Sequence, residues 1–131
     1  MKLLLDTHIW LWSLLEPQRL TKRVVRELAS SRNELWLSPI SVWELVILCE
    51  KGRVCPGEDV TTWVSKMVSA IPLKEAPITH AVALQTQRVQ LAHRDPADRF
   101  LAATAIVFEL TLVTADERLL GAEGISILAN R

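Results

Sequence analysis

The sequence predicts an α/β fold: a single domain with a central parallel sheet of four to five short strands flanked by helices. Short apolar segments alternate with segments of helical spacing, which is the order expected of βαβ units. The segments KLLL, LTLV and ISIL are apolar almost throughout, as is typical of strands buried on both faces of a parallel sheet. With 131 residues, half of them apolar, the chain can bury one core, so we expect one domain over residues 1–131.

The first half of the chain predicts two strands and two helices before a longer third helix. Pro17 ends the first helix and Thr21 can cap the second. In order, these elements are strand KLLL (2–5), helix THIWLWSLLE (7–16), helix TKRVVRELASS (21–31) and strand ELWL (34–37).

The third helix, SPISVWELVILCEKG, has two candidate starts. Ser41 and Glu44 have the spacing of a capping box, which would give Glu44 a capping role. Ser38 as the cap with Pro39 at the first helical position places Glu44 in the second turn instead. Pro39 favours the Ser38 start, and Gly52 is the expected end.

The second half predicts three more helices, a helical turn and two or three strands. These are a loop at 53–59, helix 60–71, a short strand or connection at PLKEAP, helix 78–93 capped by Thr79, a helix from Asp95-Pro96 to about Glu109, strand LTLVT (110–114), a turn in ADERLLGAEG and strand ISIL (125–128).

Composition narrows the class of protein. The 15 basic and 15 acidic residues cancel, so no overall field attracts nucleic acid. No apolar run reaches the about 18–20 residues that span a bilayer, and no signal peptide is evident. Cys49 and Cys55 match no zinc pattern and are expected to be free thiols. A cytoplasmic protein that does not contact membranes is the expectation.

Four acids stand where strands end or helices begin: Asp6, Glu44, Asp98 and Asp116. In open parallel sheets, sites gather at the carboxyl ends of strands, where Asp6 and Asp116 both fall. Clustered carboxylates repel one another unless a cation neutralises them. The pattern therefore predicts a divalent metal ion bound by these acids.

Each acid also has a purely structural explanation. Asp95 precedes Pro96 and fits a helix cap. Asp98 would stand at the third position of the same helix, where the helix dipole stabilises a carboxylate. Asp116 could cap the turn that follows it. Asp6 is the hardest to explain structurally, because an acid directly after an apolar strand carries a burial cost.

The segments LLLDTHIWLW, SVWELVILCEKGRV, HRDPADRFLAATA and LVTADERL together resemble the PIN-domain family, and more narrowly the VapC-type toxins of bacterial toxin–antitoxin pairs. The resemblance covers residues 2 to 128. It implies a PIN-like nuclease domain with metal-dependent endoribonuclease activity, and it places the four core acids of the family on Asp6, Glu44, Asp98 and Asp116. Asp95 matches an extra acid of one branch, and Thr114 matches a hydroxyl residue that accompanies the fourth acid.

An all-carboxylate donor set suits Mg²⁺ or Mn²⁺ as the cofactor better than zinc. Asp6 and Asp98 are the first candidates for direct ligands, with Glu44 and Asp116 completing the set, directly or through water, for one metal or two. His8 could act as a general acid, although a supporting or packing role is favoured. Arg99 could contact phosphate, although a structural salt bridge is favoured.

The resemblance also implies a cognate antitoxin as partner, with RNA as the substrate. An apolar groove near THIWLWSLL and SVWELVIL would suit an antitoxin helix, and apolar surface would also suit a homodimer. Alternatives are a PIN-fold binding module that no longer cleaves and a receiver-like metal-binding domain. The second is weak because Asp6 lacks an adjacent acid. A phosphatase of the DxD type fails because residue 8 is His.

Overall fold

The computed structural model describes residues 1–52, 54, 57–91 and 95–131. Strands and helices alternate along most of this length, as the sequence predicts. The elements are β1 (Lys2–Leu5), α1 (Thr7–Leu15), α2 (Lys22–Ala29), β2 (Glu34–Leu37), α3 (Pro39–Glu50), α4 (Val60–Ser69), β3 (Lys74–Glu75), α5 (His80–Gln85), α6 (Pro96–Val107), β4 (Thr111–Thr114), α7 (Glu117–Leu120) and β5 (Ile127–Ala129), with 3₁₀ turns at Pro17–Arg19 and Thr86–Arg88.

The five strands form one parallel sheet in the order β3-β2-β1-β4-β5. β1 lies in the centre, where it pairs with β2 on one side and β4 on the other. The carboxyl ends of β1 and β4 therefore lie side by side, with Leu5 paired to Val113. This adjacency brings the residues that follow the two strands, Asp6 and Asp116, to one edge of the sheet.

Side chains of the central strand alternate between the two faces of the sheet. Leu3 and Leu5 belong to a core cluster with Trp10 and Leu45, from α1 and α3. Leu4 belongs to a second cluster with Leu101, from α6. All three leucines of β1 are fully buried, which confirms the expectation from the apolar run KLLL.

The cap at the start of α3 decides between the two possible helix starts. Ser38 is the N-cap, its hydroxyl accepts from the Ile40 N–H at 3.1 Å, and Pro39 occupies the first helical position. Glu44 therefore lies in the second turn, and the capping-box alternative is wrong. Thr21 and Thr79 cap α2 and α5 as predicted.

The single helix predicted over 78–93 is wrong. The helix α5 ends at Gln85, and a 3₁₀ turn follows. The Thr86 hydroxyl donates to the Ala83 carbonyl at 2.6 Å, a local bond that competes with helix continuation. Val89, at the end of the turn, has extended backbone and is buried. The rest of the predicted helix includes residues 92–94, which lie outside the described residues.

The helix α6 ends at Val107, two residues before the predicted end. Glu109 adopts a left-handed conformation with φ of 54°, and the Leu110 N–H reaches back to the Ala105 carbonyl at 2.9 Å. This pattern is a Schellman-type ending, which turns the chain directly into β4. Smaller shifts affect α4, which ends at Ser69, and the last strand, which begins at Ile127.

The composition predicts free thiols and no membrane-spanning segment. Within the described ranges, no helix has the length and apolar character needed to cross a membrane. Cys49 is buried in the core, whereas Cys55 lies outside the described residues, so the expectation of free thiols stays a prediction.

Candidate active site

Asp6 is held from two sides at the end of β1. Its Oδ1 accepts from the Thr7 N–H at 2.7 Å, which makes Asp6 the N-cap of α1. Its Oδ2 accepts from the Thr114 hydroxyl at 2.7 Å, across from the neighbouring end of β4. The side chain is nearly buried, so these bonds compensate part of the cost of removing a carboxylate from water. Asp6 thus has the structural benefit that the sequence did not suggest, and Thr114 supports it directly.

Glu44 reaches the same edge of the sheet from α3. The Thr7 hydroxyl donates to Glu44 Oε1 at 2.5 Å and also lies 2.9 Å from the Ser41 hydroxyl. Since Thr7 has a single hydroxyl proton, Ser41 must donate to Thr7 if Thr7 donates to Glu44. Thr7 therefore links Asp6, through its N–H, to Glu44, through its hydroxyl. Thr7 was not predicted as a site residue, although its position directly after a strand-ending acid was a usable signal.

Asp95 and Asp98 approach from the start of α6. Asp95 caps this helix, and its Oδ1 accepts from the Ala97 N–H at 3.0 Å and the Asp98 N–H at 3.4 Å. Asp98 follows in the first turn and is buried. The capping explanation of Asp95 is thus confirmed, but it does not remove either acid from the site, because both line the same pocket as Asp6.

Asp116 follows β4 and combines two roles. Its Oδ1 accepts from the Arg118 N–H at 2.9 Å, which caps the short helix α7. The Arg118 guanidinium folds back onto the same carboxylate, with Nε 3.2 Å from Oδ1 and Nη2 2.9 Å from Oδ2. The same Nη2 lies 3.7 Å from Asp98 Oδ2. Arg118 was not singled out from the sequence, although a cation two residues after a candidate site acid is a usable signal.

All of these acids line one pocket. Its lining consists of Asp6, His8, Trp12, Glu44, Asp95, Asp98, Ala115, Asp116 and Arg118. A larger cavity of about 550 Å³ lies elsewhere, between α2 and β2, but its one acid, Glu34, is already paired with Lys74 at 2.7 Å. The chemistry of the lining, and not the cavity size, therefore identifies the acidic pocket as the candidate active site.

Burial, with repulsion between neighbouring acids, raises the pKa of three carboxyl groups in the pocket. Burial, together with the charges of Asp95, Asp6 and Asp116, raises the pKa of Asp98 to about 7. Burial also raises the pKa of Asp6, against the opposing effect of the hydrogen bonds from Thr114 and Thr7. Burial likewise raises the pKa of Glu44, opposed by the Thr7 hydroxyl and supported by repulsion from Asp6. A pocket in which several carboxylates resist ionisation favours a bound cation.

The donor set has the chemistry that an oxygen-preferring cation needs. Carboxylates dominate the pocket, and His8 is its one nitrogen ligand candidate within the described ranges. In the same part of the chain, no three His, Cys, Asp or Glu side chains are already arranged as a metal site. Arg118 instead supplies positive charge to Asp116 and Asp98.

The two remaining candidates, His8 and Arg99, differ in position. His8 is exposed, lines the acidic pocket and contacts the Trp12 ring at a centroid distance of 5.8 Å. Arg99 does not line the pocket; its guanidinium donates to the Val89 carbonyl at 3.0 Å. Arg99 makes no ion pair with any residue that the structure describes, so the favoured salt-bridge interpretation is wrong.

A match to the family model of the PIN domain extends over residues 3–124 of this chain. The chain belongs to the PIN-domain family. It is 34% identical over 117 residues to Ribonuclease VapC22 of Mycobacterium tuberculosis (strain ATCC 25618 / H37Rv), an alignment that covers 88% of each protein. The resemblance to VapC-type PIN domains that the sequence motifs indicate is therefore confirmed.

Solved structures share the fold of this PIN domain. VapBC2 from Rickettsia felis, bound to a DNA fragment from its promoter, superposes with a TM-score of 0.73 at 16% identity, over 98% of both chains. DNA-bound VapBC from Salmonella typhimurium superposes with a TM-score of 0.73 at 18% identity, over 100% of this chain and 99% of the other. At these identities the similarity establishes the fold, and the α/β architecture predicted from the sequence is confirmed.

Proposed function

We propose that this PIN domain is a metal-dependent endoribonuclease and the toxin of a toxin–antitoxin pair. The observation that carries the proposal is the convergence of Asp6, Glu44, Asp95, Asp98 and Asp116 on one pocket at the carboxyl ends of β1 and β4. The relative of 34% identity bears the name ribonuclease, which supports RNA as the substrate class.

Asp6, Glu44, Asp98 and Asp116 would hold Mg²⁺ or Mn²⁺, with Asp95 as an auxiliary acid. When bound, such an ion polarises a phosphodiester oxygen and lowers the pKa of a water molecule. The hydroxyls of Thr7 and Thr114 each bond a carboxylate oxygen, and a carboxylate oxygen retains acceptor capacity beyond one such bond. These bonds fix Asp6 and Glu44 in position before any ligand arrives, which reduces the ordering cost of binding.

The pocket also has groups that could contact RNA. Trp12 lines it with a half-buried ring, and an unstacked base can stack on such a ring. Trp43 is 56% exposed on α3 and offers a second stacking surface. The exposed residues Lys22, Arg23 and Arg26 of α2 supply positive charge for phosphates, as the neutral net charge of the chain requires a local source.

The decisive experiment is cleavage of a total RNA pool by the purified protein. We expect new RNA ends in the presence of Mg²⁺ or Mn²⁺ and none in excess EDTA. Asp6→Asn should abolish cleavage while leaving the circular dichroism spectrum unchanged. Asp59→Asn is the matched control: Asp59 is an exposed cap of α4 outside the pocket, and Asn is an equally good cap.

The same experiment separates this proposal from a catalytically silent PIN-fold binding module. Such a module would bind RNA without producing new RNA ends in the presence of either Mg²⁺ or Mn²⁺. Cleavage by Asp6→Asn at the wild-type rate would also refute the assignment of the acidic pocket. Mapping the new ends would define the RNA target.

An antitoxin partner is the second part of the proposal. A groove between α1 and the end of α3 is lined by His8, Leu11, Trp12, Leu15, Glu16, Arg19, Leu48 and Val54. It shares His8 and Trp12 with the acidic pocket, so an apolar helix seated there would also cover the acids. Leu15 is 48% exposed, and exposed apolar surface in such a groove supports a protein-binding role.

The antitoxin proposal is tested by co-expression with the product of a neighbouring small open reading frame. We expect the two proteins to co-purify and the complex to show no cleavage. The masses of the free protein and of the complex in solution would test the homodimer expected from the sequence. Cleavage by the purified complex at the rate of the free protein would contradict blocking of the site.

A further inference from the structure

Arg118 lies among acids that the proposed function assigns to a metal ion. Its guanidinium contacts both oxygens of Asp116, at 3.2 and 2.9 Å, and approaches Asp98 Oδ2 at 3.7 Å. Asp116 follows β4 and caps α7, whereas Asp98 belongs to α6. A single cationic group thus neutralises two acids that would help to hold the ion under the proposed function.

The position of Arg118 allows this contact to be broken without disturbing the core. Its side chain is 56% exposed, and it belongs to α7, a helix of one turn at the rim of the pocket. Across the ranges that the structure describes, Arg118 is the only Lys or Arg that lines the pocket. The Arg118 backbone N–H donates to Asp116 independently of the Arg118 side chain, so this cap of α7 can persist when the guanidinium moves.

We propose that Arg118 is a switchable cation: it neutralises Asp116 and Asp98 in the metal-free protein, and divalent cation binding releases it to contact an RNA phosphate. The inference rests on the proposed metal-dependent ribonuclease function. Arg118 is hydrogen-bonded to Asp116 and lies 3.7 Å from Asp98 Oδ2, so it stands beside the carboxylates that would hold the ion. Two positive charges at one site repel each other, so the two cations compete. A released guanidinium retains its planar fork, which suits a phosphate as well as a carboxylate.

The release is tested by NMR on the full chain carrying ¹⁵N-labelled arginine and ¹³C-labelled aspartate. In EDTA, the Nε–H of Arg118 is bonded to Asp116, so its exchange with water should be slow. At saturating Mg²⁺ we expect its resonance to shift and its exchange to accelerate. Arg32, exposed in the turn before β2 at the opposite edge of the sheet, is the internal control and should not respond.

The aspartate carboxyl resonances distinguish failure of this inference from failure of the proposed function. If they respond to Mg²⁺ while Arg118 keeps its shift and slow exchange, the Arg118–Asp116 pair is permanent and this inference is wrong. If neither Mg²⁺ nor Mn²⁺ alters the carboxyl resonances, the proposed metal site fails, and the inference fails with it.

The phosphate contact is tested by binding of a short, labelled, single-stranded RNA of random sequence, in EDTA and in Ca²⁺, with intact RNA verified on a gel. In Ca²⁺, Arg118→Gln should weaken binding several-fold and reduce the slope of log K against log salt by about 0.7, the value for one phosphate contact. In EDTA, the variant should lose less affinity than in Ca²⁺ and keep the wild-type salt slope, because only the neutralisation of Asp116 and Asp98 is lost and no phosphate contact is. Arg32→Gln should match the wild type in both conditions. Equal losses in EDTA and Ca²⁺, or no loss in Ca²⁺, would overturn the proposed release to phosphate.

Discussion

Replacing Asp98 with asparagine should stabilise the metal-free protein at neutral pH. Burial and the neighbouring acids Asp95, Asp6 and Asp116 raise the pKa of Asp98 from 3.8 to about 7. That difference corresponds to at most about 4 kcal/mol of unfavourable free energy in the ionised folded state. Solvent at the rim screens part of this charge, because the Asp98 side chain is 11% exposed. We therefore expect Asp98→Asn to raise the free energy of unfolding by about 1–2 kcal/mol.

The pH dependence of this effect has a definite sign. Between about pH 4 and about pH 7, the folded state retains the Asp98 proton that the unfolded state has released. The free energy of unfolding of the wild type should therefore fall as pH rises through this window, by up to about 1.4 kcal/mol per pH unit for this group. Below the window both states are protonated and the penalty vanishes. Above it, both are ionised and the penalty is complete.

Urea unfolding in EDTA, repeated across this pH window, measures both effects. The Asp98→Asn protein should have the higher midpoint at neutral pH and a shallower pH dependence; some slope should remain, because the pKa values of Asp6 and Glu44 are also raised. Asp59→Asn, outside the pocket, should show the wild-type slope. The reasoning is refuted if Asp98→Asn is no more stable than the wild type at neutral pH, or if the two slopes coincide.

Three further predictions concern the same pocket. Thr114→Val should lower the free energy of unfolding by about 1.5–3 kcal/mol, measured by urea unfolding, because Asp6 loses a buried hydrogen bond. Thr114→Ser keeps the hydroxyl and should retain most of the stability, so equal losses in the two variants would exclude the hydroxyl as the cause. Glu44→Gln should reduce RNA cleavage by about 10–100-fold, whereas Glu50→Gln, exposed on the same helix, should cleave normally. Mg²⁺ at about one hundred times its dissociation constant should stabilise the wild type by about 2.7 kcal/mol in thermal unfolding, and a similar gain in Asp6→Asn would argue against a site at Asp6.

The approximate location of the site was predictable from the sequence because it follows from the sheet. Asp6 comes directly after one apolar strand and Asp116 two residues after another, and parallel strands place their carboxyl ends at one edge. Glu44 could be placed because Ser38 and Pro39 mark the start of α3 by local chemistry alone. In each case the signal lies within a few residues of the element that it positions.

The contacts that bind the site together were not predictable in this way. The Thr7–Glu44 bond joins residues 37 apart in sequence, and the Arg118–Asp98 contact depends on how α6 and α7 pack at the rim. The break after α5 was also missed, because apolar spacing continues past Gln85 while the Thr86 hydroxyl bonds the Ala83 carbonyl. Periodicity reports which face is buried, but not where a side chain competes with the backbone for a hydrogen bond.

Asp6 differs from Asp98 and Asp116 in the kind of partner that holds its carboxylate. Both oxygens of Asp6 are engaged by groups fixed in the framework, the Thr7 N–H and the Thr114 hydroxyl, so its position does not depend on a bound ion. Asp98 and Asp116 share the exposed guanidinium of Arg118. The hydrogen bonds to Asp6 can remain when a metal ion binds, whereas the Arg118 guanidinium must be displaced. The Arg118 side of the pocket should therefore set the affinity for a metal ion. Asp6 should instead set its position. Substitutions at Arg118 and at Thr114 would separate these two roles. The first should change metal affinity with little effect on folding, whereas the second should lower the free energy of unfolding and release Asp6 from its fixed position.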